Sequence, residues 1–218
     1  MNRRPRLLTT AAAGAAAALL LTACGGSDGG SKGNDKIAGA ETGSATPASP
    51  SASATGAADR PKVKLPSDVK DNYEGWQTGD TAKDEVLTDT ASRIDATNDA
   101  ILRGDTGAPG LAFYYRDKAL SGAVQWVQAY VDAKLSFTGT TRYYSPQVTL
   151  SGAKSASVVY CADESKGFNK NRKTNKVDKT PSDESPYVLY NTRVEKNDQG
   201  VWQTTNLISK RGDKTCAG

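Results

Sequence analysis

The chain has 218 residues, with 28 Lys and Arg against 24 Asp and Glu and no histidine, for a formal net charge of +4. Once low-complexity sequence is set aside, that length leaves one core of ordinary domain size, roughly 140 to 150 residues. So small a net charge excludes a global field that draws nucleic acid, and the lack of histidine removes imidazole from any acid–base or metal chemistry.

Arg3, Arg4 and Arg6 form a positive n-region, and Leu7 to Leu21 an apolar run of about 15 residues, shorter than the roughly 20 that span a bilayer. Without those arginines the chain is nearly neutral. Leu21-Thr22-Ala23-Cys24 resembles the bacterial lipobox, in which a diacylated cysteine becomes the new N-terminus. The resemblance implies a lipoprotein signal peptide over residues 1–23 and acyl chains, palmitate among them, on Cys24. It places the protein on the extracellular face of the cell membrane, with membrane lipid as its first partner. The alternative is a plain secretory leader beside a coincidental cysteine. Arg3-Arg4 leaves the export route open between the general secretory and twin-arginine systems. With Cys24 acylated, Cys161 and Cys216 remain as an even pair, expected to be oxidised outside the cytoplasm. Two separate buried thiols are the alternative.

Residues 24–66 are rich in Gly, Ser, Ala, Thr and Pro and nearly free of large apolar side chains, so they cannot bury enough surface to offset ordering entropy. They read as a lipidated disordered tether with a reach of roughly 35 Å. Residues 67–218 are left as the folded domain. Asp71 to Trp76 supply its first aromatics as a surface lead-in. Asp80 or Thr81 then caps a helix over Ala82 to Leu102, in which Leu87, Ala91, Ile94 and Ile101 recur near 3.6 residues and Asn98 interrupts the stripe. Gly104 to Gly110 ends it. After a short helix around Phe113, Ala119 to Lys134 reads as a third helix with two adjacent apolar stripes. Leu120, Val124, Val127 and Val131 make one, and Ala119, Ala123, Trp126, Tyr130 and Ala133 the other, an arc wide enough to predict burial on two sides.

Beyond Lys134 the period becomes two. Strands are expected over Ser136 to Leu150, Ala156 to Cys161, Tyr187 to Glu195 and Val201 to Ser209, the last two joined by a hairpin at Asn197 to Gly200. Ser165 to Ser185 reads as a polar loop carrying Lys166, Lys170, Arg172, Lys173, Lys176 and Lys179, a candidate contact for anionic polymer or lipid headgroups. A solvated loop is the plainer alternative.

Helices followed by hairpin-linked strands predict an α+β fold, with helices packed in the concave side of a strongly curved, cone-like antiparallel sheet. That order, with the phrases Val124 to Asp132, Val158 to Cys161 and Gly200 to Thr204, resembles a family of actinomycete lipoproteins. It also resembles the superfamily of nuclear transport factor 2, SnoaL and ketosteroid isomerase. The resemblance implies a pocket between sheet and helices, with Tyr114, Tyr115, Trp126, Tyr130, Tyr160, Tyr190 and Trp202 as candidate lining residues; aromatics at those spacings also serve as core.

Enzymes of that superfamily use a buried Asp base, a histidine or an Asp-Arg-Asp arrangement. The second is impossible here, and none of Asp95, Asp99, Asp117, Asp132 and Asp163 lies in a recognisable catalytic motif. No metal-ligating or phosphate-binding pattern is present in the sequence, so no cofactor and no catalytic residue is assigned. The expected function is non-catalytic binding of a small apolar ligand or an envelope protein. An isomerase- or hydrolase-type enzyme and an envelope scaffold are the alternatives, and the oligomeric state is open.

Overall fold

The computed structural model describes residues 58–180 and 183–217. The signal peptide, Cys24 and the tether up to residue 57 lie outside the described residues. Five strands follow chain order across one sheet: β1 (Val69–Tyr73), β2 (Leu135–Leu150), β3 (Ser155–Asn171), β4 (Tyr187–Lys196) and β5 (Trp202–Arg211). β1 runs parallel to β2, and every other pairing is antiparallel. Helices α1 (Thr81–Arg103), α2 (Pro109–Tyr114) and α3 (Asp117–Asp132) pack on the concave side, the cone-like α+β arrangement expected.

α1 is the central element. Asp80 caps its start, accepting from the Ala82 and Lys83 amides at 3.0 and 3.2 Å, and Gly104 in the left-handed region closes its end. Its buried side chains include Val86, Leu87, Asp89, Thr90, Arg93, Ile94, Ala96, Ala100 and Ile101, more than one stripe, because sheet, α2 and α3 all lean on it. Inward residues of the sheet meet it at period two: Ala156, Val158, Tyr160 and Ala162 from β3, Val188, Thr192 and Val194 from β4. Register shifts at Thr140/Arg142 and Tyr144/Gln147 bend β2 around the helix. At the first bend Gly139 has φ +105°, and a Cβ there would collide with the Lys166 carbonyl oxygen.

Three expectations are corrected. The surface lead-in is instead the edge strand β1, with Val69 buried and Trp76 Nε1 donating to the Tyr143 carbonyl oxygen at 3.1 Å. The polar loop begins later, since β3 runs through Asn171 and carries Lys166 and Lys170 in register with Thr140 and Ser136. In α3 the buried residues are Ala119 and Ala123 from the second stripe and Val127 from the first, on the side facing α1, β2 and β5, whereas Trp126 is 54% exposed because no described element lies over that part of the second stripe.

The domain also takes up chain from the expected tether. Ala58 and Val63 pack against Ala96, Tyr114 and Val201, and the Arg60 guanidinium reaches the buried Asp89 carboxylate at 2.9 and 3.2 Å. Asp89 also accepts the Trp202 amide at 2.9 Å, so one carboxylate joins the incoming segment, α1 and the start of β5.

Cys161 and Cys216 are disulfide-bonded, with Cα atoms 5.5 Å apart. The bridge binds the C-terminal segment to β3, and Tyr144 donates to the Cys216 carbonyl oxygen. With a sequence separation of 55 between the cysteines, its loss lowers the unfolding free energy by roughly 4 kcal/mol in the chain-entropy model. The paired change Cys161→Ser and Cys216→Ser is therefore expected to lower the thermal midpoint by about 10 °C in a scan without reductant.

Candidate functional site

Two groups of polar side chains occupy the concave side. The first surrounds Arg93, which is 3% exposed. Its Nη1 donates to Tyr115 Oη at 3.2 Å and its Nη2 to Tyr160 Oη at 2.8 Å, and the guanidinium carbon lies 5.5 and 6.0 Å from the same two ring centroids. Among the described residues no carboxylate bonds it. Phenol oxygens and ring faces stabilise the buried cation instead. Thr97 Oγ1 lies 2.9 Å from Tyr115 Oη, and Arg93 Nε has no hydrogen-bond partner. Tyr160 stacks on Tyr190 at 5.0 Å and meets Trp76 and Tyr143 edge-on. These aromatic side chains pack against one another and against Val86, Leu87 and Ile94 of α1.

The second group lies where β1 crosses α1. Asn98 Nδ2 donates to Asp71 Oδ2 at 2.7 Å, and Tyr73 Oη donates to Asp95 Oδ1 at 2.6 Å and approaches the Ala91 carbonyl oxygen at 3.1 Å. Asp71 and Asp95 are within hydrogen-bonding reach of each other. Burial, with the charge of Asp95 added to it, pushes the Asp71 carboxyl up to about 7, against the hydrogen bond from Asn98. Asp95 is raised too, chiefly by burial, and Tyr73 stays protonated far above its usual range for the same reason. A carboxyl beside a phenol is chemically able to move a proton. Here the pair is packed beneath Tyr73, whose ring stacks on Tyr143 at 5.2 Å.

The predicted lining residues divide. Tyr115, Tyr160 and Tyr190 converge around Arg93. Tyr114 is buried but faces Ala96, Val201 and Phe113. Trp202 is buried at the start of β5 under Lys196, whose Nζ lies 5.6 Å from its ring centroid. Trp126 is not brought to the interior; it meets Tyr130 edge-on at 5.3 Å along α3, and Tyr130, half-buried against the cluster of Ala119, Ala123 and Val127, continues to Phe137 at 6.4 Å.

The predicted basic cluster is dispersed. Lys170 pairs with Asp68 at 2.9 Å, and Arg172 bonds the Ile101 and Leu102 carbonyl oxygens at the end of α1. Lys166, Lys173, Lys176 and Lys179 are exposed. A cleft of about 250 Å³ lies between Pro66, Leu102, Phe137, Lys170 and Arg172, and a second of about 440 Å³ between Arg60, Glu85, Asp89 and Lys196. Both are open to solvent.

Among the acids considered from sequence, Asp95 alone joins the interior groups. Asp99, Asp117 and Asp163 pair with Arg103, Arg116 and Arg142, and Asp132 accepts from Gln128. Sequence reasoning missed Arg93, Asp71 and Tyr73. Each carried a signal: Arg93 stands between Thr90 and Thr97 on the apolar side of α1, and Val69, Asp71 and Tyr73 alternate at the period of a strand.

No protein-family model and no curated protein sequence matches the chain. Among solved structures, it is similar to a ketosteroid isomerase-like protein from Erwinia carotovora atroseptica SCRI1043, with TM-score 0.40 and 20% identity over 59% of this chain and 97% of that one. It is also similar to the intermembrane space region of the chloroplast protein ARC6, with TM-score 0.39 and 10% identity over 57% and 91%. At such scores the likeness says nothing of activity.

Because Tyr160 accepts from a buried cation, Tyr160→Phe is expected to lower the unfolding free energy by about 2 kcal/mol. Adding Arg93→Met to that change removes the orphaned charge and recovers most of the loss, a non-additivity measurable by denaturant unfolding of the single and double variants.

Proposed function

We propose that this chain is a lipid-anchored extracytoplasmic protein whose domain binds an envelope partner through its surface, without turnover. The observation that carries the non-catalytic part is the filled cone: Arg93, Tyr115, Tyr160 and Tyr143 occupy the volume in which an enclosed substrate or apolar ligand would sit. Filling favours a partner over a small ligand. The anchored part rests on the lipobox resemblance at Cys24 and the arginines and apolar run before it.

Trp126 is the surface feature best suited to a partner. A large aromatic, half exposed and backed by Tyr130 and Phe137, brings contact area at little entropic cost. Lys134, Lys173 and Lys176 are exposed near the end of the same helix, since the Arg172 amide donates to the Lys134 carbonyl oxygen at 3.0 Å. Lys173 and Lys176 belong, with Lys166 and Lys179, to the exposed part of the basic segment, which would meet anionic polymer or headgroups in company with Asp132 and Asp178.

A second reading, an isomerase- or hydrolase-type enzyme, has one specific observation in its favour: the Asp95 carboxyl hydrogen-bonded to the Tyr73 phenol, with Asp71 beside it.

Two measurements test the proposal. Cys24→Ala is expected to move the protein from the membrane pellet to the soluble fraction, and a protein that stays in the pellet contradicts the anchor. Titration of the full chain with the apolar probe anilinonaphthalene sulfonate is expected to leave the thermal midpoint unchanged. A saturable rise, of the size that mass action gives for a one-to-one complex, contradicts the filled interior.

A further inference from the structure

Among the described residues, the carboxyl pair at the β1–α1 crossing lacks what usually accompanies buried carboxylates, a cation. On α1, Arg93 turns to Tyr115 and Tyr160, and Arg103 pairs with Asp99 and Asp105. On β2, Arg142 is taken by Glu74, Asp163 and the Tyr144 ring. The groups that do face the pair are the Tyr73 and Tyr143 phenols and the Asn98 amide. Asp71 Oδ1 is sealed from solvent and has no hydrogen-bond partner other than what a proton between the two carboxyls would provide. Two carboxylates in contact cannot both ionise at little cost, so one proton resolves both the repulsion and the orphaned oxygen.

We infer that Asp71 and Asp95 hold one proton between them, and that its loss as the pH rises loosens β1 from α1, so that β1 is docked more firmly under mildly acidic conditions. β1 is a suitable moving part. It is an edge strand of five residues, joined to the sheet by β2 alone, and it follows directly on the Arg60–Val63 segment. The direction follows from proton counting. Unfolded or undocked, both carboxyls lose their protons near pH 4. Docked, the pair keeps one until about pH 7. Between those values the docked form binds more protons, so its advantage is full below about pH 4, falls through the interval and is exhausted above about pH 7.

The inference concerns residues 69 to 98 and is independent of anchoring or partner binding. The chain also makes it unusually easy to test, because it has no histidine and no other ordinary side chain titrates in that window. Hydrogen exchange of the full chain, corrected for intrinsic amide rates, is expected to show opening of β1 rising by up to roughly tenfold per pH unit between about pH 5 and 7, then levelling off. The Val158–Ala162 amides in the centre of the sheet serve as the internal reference.

Asp71→Asn places a permanent hydrogen where the shared proton lay and is expected to flatten the profile, with protection at neutral pH close to that of the natural chain in acid. Should that variant fail to fold, carbon-detected titration of the carboxyls in the natural chain decides: one group titrating near neutrality supports the shared proton. Opening of β1 that does not change across the window, or a full set of carboxyls titrating below about pH 5, overturns it.

Discussion

A guanidinium without a carboxylate sets the terms of this interior. Desolvating Arg93 is costly, and among the described residues nothing anionic offsets it directly. The structure surrounds it with electron-rich groups, two phenol oxygens and two ring faces, and these must come from α2–α3 and β3 at once. Sheet curvature, the short α2 that delivers Tyr115, and the Tyr160–Tyr190 stack are mutually dependent through this one charge. The same requirement accounts for the aromatic packing around Arg93: a chamber opened at that point would leave the cation with fewer of its neighbours.

α1 carries three buried or half-buried ionisable groups within seven residues, and each is satisfied by different means. Asp89 and Arg93 stand at the spacing of a helical ion pair. Tertiary structure separates them, giving Asp89 to Arg60 and the Trp202 amide and Arg93 to the tyrosines. Asp95 has its neighbour Asp71 and the Tyr73 hydroxyl. Salt pairing, π-face solvation and proton retention thus coexist along one helix, and each joins it to a different part of the fold: the incoming segment, the sheet centre and the edge strand.

Much of this was legible in the sequence. Asp80 and Gly104 mark the ends of α1, the change of period after Lys134 marks the sheet, and cysteine parity points to the Cys161–Cys216 bridge. The errors have physical causes. β1 was hidden because a five-residue strand with Lys70, Asp71 and Asn72 has too little apolar pattern to stand out, and its parallel partner lies more than sixty residues away. α3 looked buried on two sides because periodicity reports which residues share a face but not whether another element covers it. The interior site was missed because Arg and Asp are ordinarily read as solvated; only their positions within otherwise inward-facing patterns give Arg93 and Asp71 away.

Gly139 ties two decisions to one residue. It bends β2, and its amide donates to the Asp68 carbonyl oxygen at 2.8 Å at the start of the β1 pairing. Side chains alternate faces beyond it, so a residue inserted directly after Gly139 and not absorbed by a bulge would turn Tyr143, Val148 and Leu150 outward and bring Tyr144 and Thr149 in. The hairpin already absorbs one unpaired residue on β3 opposite Thr140/Arg142 and one on β2 at Tyr144/Gln147, so its facing pattern is held by bulges at fixed positions and not by equal strand lengths.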